Sequence, residues 1–310
     1  MPHDRGPNRF LGTVFCCAAV SIWAGWSVVT RLAVTTGLDA WDVTALRFGV
    51  AGGVLAPVVI RKGLALNHLG WSGLAMIVAG VGAPYVLVAA YGLRFAPAYD
   101  QGALNPGCMP LFVALLAAAV LREAASIMQK LGLSFILTGA ILIVGWHDAG
   151  WDTSRLVGDA LFLLASMLTA GFTVTMRRAK LDPLHAVALV STGSLVIYLP
   201  VYLLRFGSRI AQLPLAEVAF QAAFQGILVT IISLLLYGRA VAILGASAAA
   251  SFGALVPVLS ALFAIPLLGE WPNLPNWAGI IIISAGAWLA SGGPLSVGTR
   301  RGREAKSVPP

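Results

Sequence analysis

The sequence predicts an all-α integral membrane protein, ten transmembrane helices arranged as two inverted-topology five-helix repeats. Three observations carry this expectation. Of 310 residues, 59% are hydrophobic and only 10% charged, against roughly 25% charged in soluble domains. Ten apolar runs follow one another, most of them near or above the ~18 residues that cross a bilayer core. The phrase AGWSVVTRLA, Ala24 to Ala33, returns 146 residues later as AGFTVTMRRA, Ala170 to Ala179. Ten buried helices in a soluble protein would need a polar outer shell, which this composition cannot supply.

The first run, Leu11–Thr30, follows Arg5 and Arg9 as the core of a signal peptide would. It exceeds the usual ~7–15-residue apolar region and has no A-x-A-like cleavage site, so it reads as the first span. The second run, Val43–Ile60, is interrupted only by Arg47; Leu69–Leu93, Gly102–Leu121 and Leu131–Trp146 carry no charge. The second set is Ala160–Met176, Pro183–Leu204, Val218–Tyr237, Ala240–Gly269 and Trp277–Gly293. Cys16 and Cys17 in the first span and Cys108 in the fourth lie at membrane depth, where thiols act as small packing residues. The expected division is a cytoplasmic segment 1–10, a first repeat 11–146, an external linker 147–156, a second repeat 157–292 and a basic tail 293–310.

Charge sets the orientation. With the N-terminus cytoplasmic, 14 of the 20 Lys and Arg fall on inside segments, five outside and one, Arg47, within a span. Short cytoplasmic loops are enriched in Lys and Arg, so both termini are expected inside. The net charge of +8 is then mostly a topology signal, with the tail GTRRGREAK adding attraction to anionic lipid. No nucleic-acid partner is expected. Trp41, Trp71, Trp146, Trp151, Trp271 and Trp277 fall near span ends, as an interfacial belt requires.

The repeat extends beyond one phrase. Gly12 meets Gly158, and Tyr91-Gly92 meets Tyr237-Gly238, at the same offset of 146. PLFVALLAAAVLRE (Pro110–Glu123) meets PVLSALFAIPLLGE (Pro257–Glu270), both P-x3-A-L-x5-L-x-E. Gly132 and Gly139 follow Glu123 by the same 9 and 16 residues as Gly279 and Gly286 follow Glu270. Five spans is an odd number, so the second copy enters the membrane from the other side. Two oppositely facing halves around a central site are the architecture of alternating access.

These features resemble the EamA-type transporters of the drug/metabolite transporter superfamily over residues 11–292. The resemblance rests on WAGWSVVTR in the first span, Arg47 in the second, and the doubled P-x3-A-L…L-x-E with its spaced glycines. It implies an inner-membrane exporter of small polar metabolites, often amino acids or related compounds. The same scaffold also admits an importer or exchanger of nucleosides, nucleotide sugars or drugs, and a membrane-embedded enzyme or assembly scaffold is the distant alternative. The second copy departs from the first in having Val190 where the first has Arg47, so an Arg-based contact would be one-sided. No carboxylate occupies the centre of a span, unlike the small multidrug exporters.

Arg47 is the leading candidate for solute binding, since an ionisable group within a span usually faces a cavity. A guanidinium could hold a carboxylate bidentately; alternatively Arg47 pairs with Asp42 or Asp39 or snorkels outward. Asn105 and Ser251 occupy equivalent places in the two repeats and either bind solute or link helices. Trp23, Tyr85, Thr169 and Tyr198 either line the cavity or pack. Pro110 and Pro257 are hinge candidates, because a proline within a helix frees a carbonyl; a shared static kink is the other reading. Gly49 and Gly53 would allow close helix approach. Glu123 and Glu270 are expected to cap the helices that follow them; a proton relay is the other reading. His147, Asp148 and Asp152 read as a solvated loop. No metalloprotease helix, phosphate loop or catalytic triad pattern occurs, so no enzyme activity, metal or cofactor is expected. The expected partners are a small-molecule solute and membrane lipid, and a homodimer is compatible with the sequence.

Overall fold

The computed structural model describes residues 9–146, 153–206 and 209–292. Among them, nine helices are long and apolar enough to cross a bilayer: α1 Arg9–Thr36, α2 Ala40–Lys62, α3 Leu66–Gly92, α4 Ala98–Leu121, α5 Ile127–Gly145, α6 Thr153–Ala179, α7 Pro183–Arg205, α8 Leu215–Leu244 and α9 Ala246–Leu268. The tenth, α10 Leu274–Ala290, is apolar and 17 residues long, about 26 Å at 1.5 Å per residue. The ten form two five-helix halves of opposite topology. The His147, Asp148 and Asp152 cluster, Trp151 and the basic tail lie outside the described residues. Arg61, Lys62, Arg122, Lys130, Arg177, Arg178 and Lys180 fall at or beyond the helix ends of one side, hereafter the basic face.

Helix association in lipid relies on close backbone packing rather than on hydrophobic burial, so small residues mark the contacts. The repeated glycines do this between α5 and α10. A Cβ on Gly132 would sit 2.6 Å from the Gly286 carbonyl oxygen, and one on Gly286 would sit 2.6 Å from that of Gly132. Gly139 and Gly279 are packed in the same way, at 2.6 and 2.9 Å. Equivalent residues of the two repeats thus meet crosswise, as a two-fold axis in the membrane plane requires. The other principal contacts also run between halves: α2 on α7, α1 on α8 and α9, and α6 on α3 and α4. Gly139→Val should weaken the α5–α10 contact by about 1–3 kcal/mol, the cost of overpacking, read as a lower unfolding temperature in detergent. An unchanged temperature would mean that this seam does not bear on stability.

In α2 the glycine expectation is corrected. Gly49 and Gly53 face open space, and Gly52 makes the close approach, its Cβ position 2.7 Å from the Ser191 carbonyl oxygen of α7. The i,i+4 spacing was sound, but it marked the wrong face of the helix.

Four of the described helices depart from regular α geometry within the bilayer. α3 is broken at Gly82, between Leu66–Val81 and Ala83–Gly92. At the equivalent level α8 carries an 11-residue π-helical run, Ala222–Ile232. α4 widens into π turns at Ala103–Gly107 and Ala117–Leu121, whereas its counterpart α9 tightens into a 3-10 turn at Gly253–Leu255. Such departures recur at functional sites, because they free backbone groups and re-aim side chains.

Candidate functional site

The break at Gly82 positions the first side chain of the site. Gly82 has φ −89° and ψ −151°, which ends the helix, and Pro84 restarts it in its first turn. The new N-terminus is closed from outside the segment: the Ala83 N–H donates to Ser194 Oγ of α7 at 3.0 Å. Tyr85 follows in that first turn. Its hydroxyl accepts from Asn105 Nδ2 at 3.0 Å, and Thr169 of α6, whose own hydroxyl donates to the Ala165 carbonyl at 2.9 Å, lies close by. Asn105 is aimed there by the π turn of α4, where Pro106 also lacks a backbone donor.

Arg47 of α2 completes the group. Its guanidinium carbon lies 5.8 Å from the Trp26 ring centroid and 5.7 Å from that of Phe48, a favourable cation–π placement. Tyr85 stacks on the same indole, at 6.3 Å and 21°. Arg47 pairs with neither acid suggested by the sequence. Asp42 is taken by the Tyr202 hydroxyl at 2.5 Å and by the Asp39 N–H at 2.8 Å, and Asp39 is held by Arg94 at 3.1 Å. Arg47 Nε is sealed from solvent with no hydrogen-bond partner. A cation inside the membrane, paired with no anion among the described residues, is therefore set between an aromatic wall and a tyrosine–asparagine pair.

The wall is itself held. Trp26 Nε1 donates to Gln225 Oε1 of α8 at 2.8 Å, and Gln225 Nε2 donates to Thr30 Oγ1 at 3.0 Å and Gln221 Oε1 at 3.3 Å. Gln225 is 0% exposed, so its amide is fully committed to fixing α1 against α8. Trp26 and Gln225 were not among the sequence candidates. The visible signal for Gln225 is its position, a polar amide seven residues into an uncharged run that starts at Val218.

Four of the seven candidates, Arg47, Tyr85, Asn105 and Thr169, are thus brought together. The other three lie elsewhere. Trp23 donates to Ser233 Oγ at 3.1 Å and packs on Tyr237 at 5.1 Å. Tyr198 donates to the Trp41 carbonyl at 2.8 Å, stacked on that indole near the face opposite the basic one. Ser251 donates to the Ser247 carbonyl at 3.1 Å, near the basic face. Its separation from Asn105 follows from the inversion, which sends equivalent residues to mirrored depths. Pro110 and Pro257 each stand in the first turn of a restarted helical segment, Met109–Leu116 and Val256–Leu268. The interruption in each case precedes the proline.

Two ion pairs close the ends. The glutamates do not cap the helices after them, as the sequence had suggested; Ser126 and Asn273 do, accepting from the Gln129 and Asn276 N–H groups at 3.2 and 2.8 Å. Instead Glu270 pairs with Arg31 Nε at 2.9 Å and accepts the Ala98 N–H at 2.8 Å. Glu123 pairs with Arg177 Nη2 at 2.9 and 3.0 Å. Arg31 is the repeat equivalent of Arg177, and Glu270 of Glu123, so each bond joins the two halves, one at each face. They differ in access: the Arg31–Glu270 side chains are 20% and 16% exposed, those of Arg177–Glu123 47% and 50%. A cavity of about 130 Å³ beside the second pair is lined by Pro110, Ala117, Glu123, Gln129 and Arg177.

A cavity of about 780 Å³ on the basic face, lined by Lys62, His68, Lys180 and Asp182 among others, stands apart from the Arg47 group. It lies 15 residues along α2 from Arg47, about 22 Å at helical rise. Asp182 there is held below the usual carboxylate range, first by the His185 N–H and then by Lys62.

Residues 10–145 and 156–292 each match the model of the EamA-like transporter family. The chain is 26% identical over 261 residues to "Uncharacterized transporter YyaM" of Bacillus subtilis strain 168, covering 80% of this chain and 83% of that protein. It is 31% identical over 275 residues to "Uncharacterized protein PA1977" of Pseudomonas aeruginosa, covering 83% and 87%. A solved crystal structure shares the fold at a TM-score of 0.57 and 19% identity, over 91% of this chain and 98% of the other. With two matched repeats, ten apolar helices and halves that meet through equivalent residues, the chain belongs to the EamA-like transporter family, as a multi-pass membrane transporter of the drug/metabolite type.

Proposed function

We propose that this chain is a secondary transporter that exports a small polar metabolite bearing a carboxylate, an amino acid or a related compound, by alternating access across the bacterial inner membrane. The observation that carries the reading is Arg47: a guanidinium within the membrane, its Nε sealed from solvent and unpartnered. An unpaired buried charge is expensive, so the site is completed by an anion brought in from outside. A planar fork favours carboxylate over a point anion. Trp26, Tyr85 and Asn105 would then contact the rest of the solute. In this reading the basic face is cytoplasmic, and the less exposed Arg31–Glu270 pair closes the outside while the solute site is reached from within. The outward direction follows the family resemblance.

The test is flux in liposomes holding the purified chain, with a panel of labelled amino acids, organic anions and their neutral amides. Arg47→Ala should lower carboxylate flux by about tenfold or more, matching the ~1.5–3 kcal/mol of a lost charge-assisted hydrogen bond, while flux of neutral analogues changes far less. Equal losses for both classes would remove the assigned role of Arg47. If the unaltered chain moved no solute of the panel, the substrate class would be wrong.

A further inference from the structure

On the basic face the α2–α3 link of the first half and the α6–α7 link of the second enclose the cavity of about 780 Å³. His185, 7% exposed, fastens the two links together. Its ring Nε2 lies 2.9 Å from the Gly63 carbonyl oxygen, and its backbone N–H donates to Asp182 Oδ1 at 2.9 Å. Lys62 Nζ reaches the same Asp182 oxygen at 3.3 Å, with both side chains about half exposed. A solvated pair of this kind is weak, so Lys62 can turn to a stronger anion. Lys180 and His68 also line the cavity, and among the described residues neither holds a carboxylate.

The backbone is strained at the same place. Gly63, Ala65 and Lys180 have φ of 74°, 53° and 49°. Ala65 and Lys180 are two of the three described non-glycine residues with positive φ, a conformation that costs an L-residue energy and clusters at ligand sites. Depth narrows the ligand. Lys62 is the last residue of α2 and Lys180 the first after α6, the level at which spans leave the hydrocarbon core. Leu64 in the lining is exposed, as are Ile60 and Trp71 on either side of it in sequence. Cationic and apolar surfaces thus adjoin at headgroup height, where basic pockets between spans take lipid phosphates. The lining holds two lysines, one aspartate and no arginine. It offers ammonium point charges, which suit phosphate, rather than the guanidinium fork that suits a carboxylate. Its surplus of one positive charge matches the single negative charge of a phosphodiester.

We propose that this cavity binds a phosphate-bearing anion, held by Lys62 from one half and Lys180 from the other, with His68 as a further donor. In the bilayer the phosphodiester of an anionic phospholipid supplies that group; dissolved phosphate shares its chemistry. The bound anion bridges a link of each half. The site does not depend on the transport reading.

The experiment is native mass spectrometry of the purified full chain with phosphatidylglycerol, phosphatidylcholine or inorganic phosphate added. The unaltered chain should retain one phosphatidylglycerol in preference to phosphatidylcholine. Lys62→Gln/Lys180→Gln should weaken that retention by about tenfold or more. Arg122→Gln/Lys130→Gln removes two charges from the same face but outside the cavity, and should leave it unchanged. Asp182→Asn frees Lys62 while still accepting the His185 N–H, and should tighten it. Lysine-dependent retention that persists in excess inorganic phosphate assigns the site to lipid. The same dependence for inorganic phosphate, without lipid preference, assigns it to a dissolved anion. No lysine-dependent retention of either, equal losses in the two double variants, or loss in Asp182→Asn overturns the proposal.

Discussion

Gly82→Ala is expected to remove most of the folded protein from the membrane. The added Cβ would lie 2.1 Å from the Val78 carbonyl oxygen and 2.4 Å from Ser194 Oγ, neither of which can step aside cheaply. Val78 O already accepts the Gly82 N–H at 2.9 Å, and Ser194 Oγ accepts the Ala83 N–H at 3.0 Å. Relief therefore requires α3 to leave α7, which strands a helix N-terminus in a medium with no water to satisfy it. The cost should reach or pass the ~3 kcal/mol upper range of ordinary overpacking. It would be seen as loss of the monodisperse peak after detergent extraction, with the surviving fraction inactive because Tyr85 has moved. Gly49→Ala, whose Cβ meets nothing within 4 Å, is the control and should behave like the unaltered chain. Equal behaviour of the two variants would show that the α3 break is not imposed by this contact.

The second large effect concerns the ends. Glu270→Gln should open the face opposite the basic one, whereas Glu123→Gln should change little. Both substitutions remove a glutamate charge that bridges the halves, but only Glu270 is largely screened from solvent and also holds the Ala98 N–H. Hydrogen bonds to charged groups in such places contribute about 1.5–3 kcal/mol, whereas an exposed pair contributes about 0–1 kcal/mol. The first figure corresponds to roughly 10- to 150-fold in the ratio of open to closed forms. The readout is labelling by a membrane-impermeant maleimide of a cysteine placed at Ser27, 1% exposed and bonded to Gln101, in a chain otherwise free of cysteine. Labelling should accelerate in Glu270→Gln and stay slow in Glu123→Gln. Equal rates in the two would mean that neither pair holds that end.

Much of this fold is legible in the sequence, because a bilayer imposes run length and an inverted repeat imposes internal similarity. Arg47 was legible for a related reason: one ionisable residue in an apolar run of 18 has few structural excuses. Contacts were harder to read. The matched Arg31, Arg177, Glu123 and Glu270 revealed equivalence, but equivalence does not say that each arginine meets the glutamate of the other half. Helix faces were harder still. Gly49, Gly52 and Gly53 differ only in which side of α2 they occupy, and lipid-facing side chains are as apolar as packed ones. Asp100, Arg155 and Asp159 lay at the edges of uncharged runs, where an acid reads as a boundary marker. Burial under the neighbouring helices, not sequence, makes them an internal cluster.

All of this depends on one solute site being reached from one face at a time, through the reciprocal movement of two inverted halves. The most direct test is a pair of spin-label distances in lipid, measured in the unaltered background and in Glu270→Gln. One pair spans the basic face, from Ala124 to Arg178; the other spans the opposite face, from Thr36 to Trp271; all four positions are exposed. Reciprocal movement predicts that Glu270→Gln lengthens the Thr36–Trp271 distance and shortens the Ala124–Arg178 distance in the same fraction of molecules. Lengthening at one face with no change at the other, or lengthening at both, would contradict it.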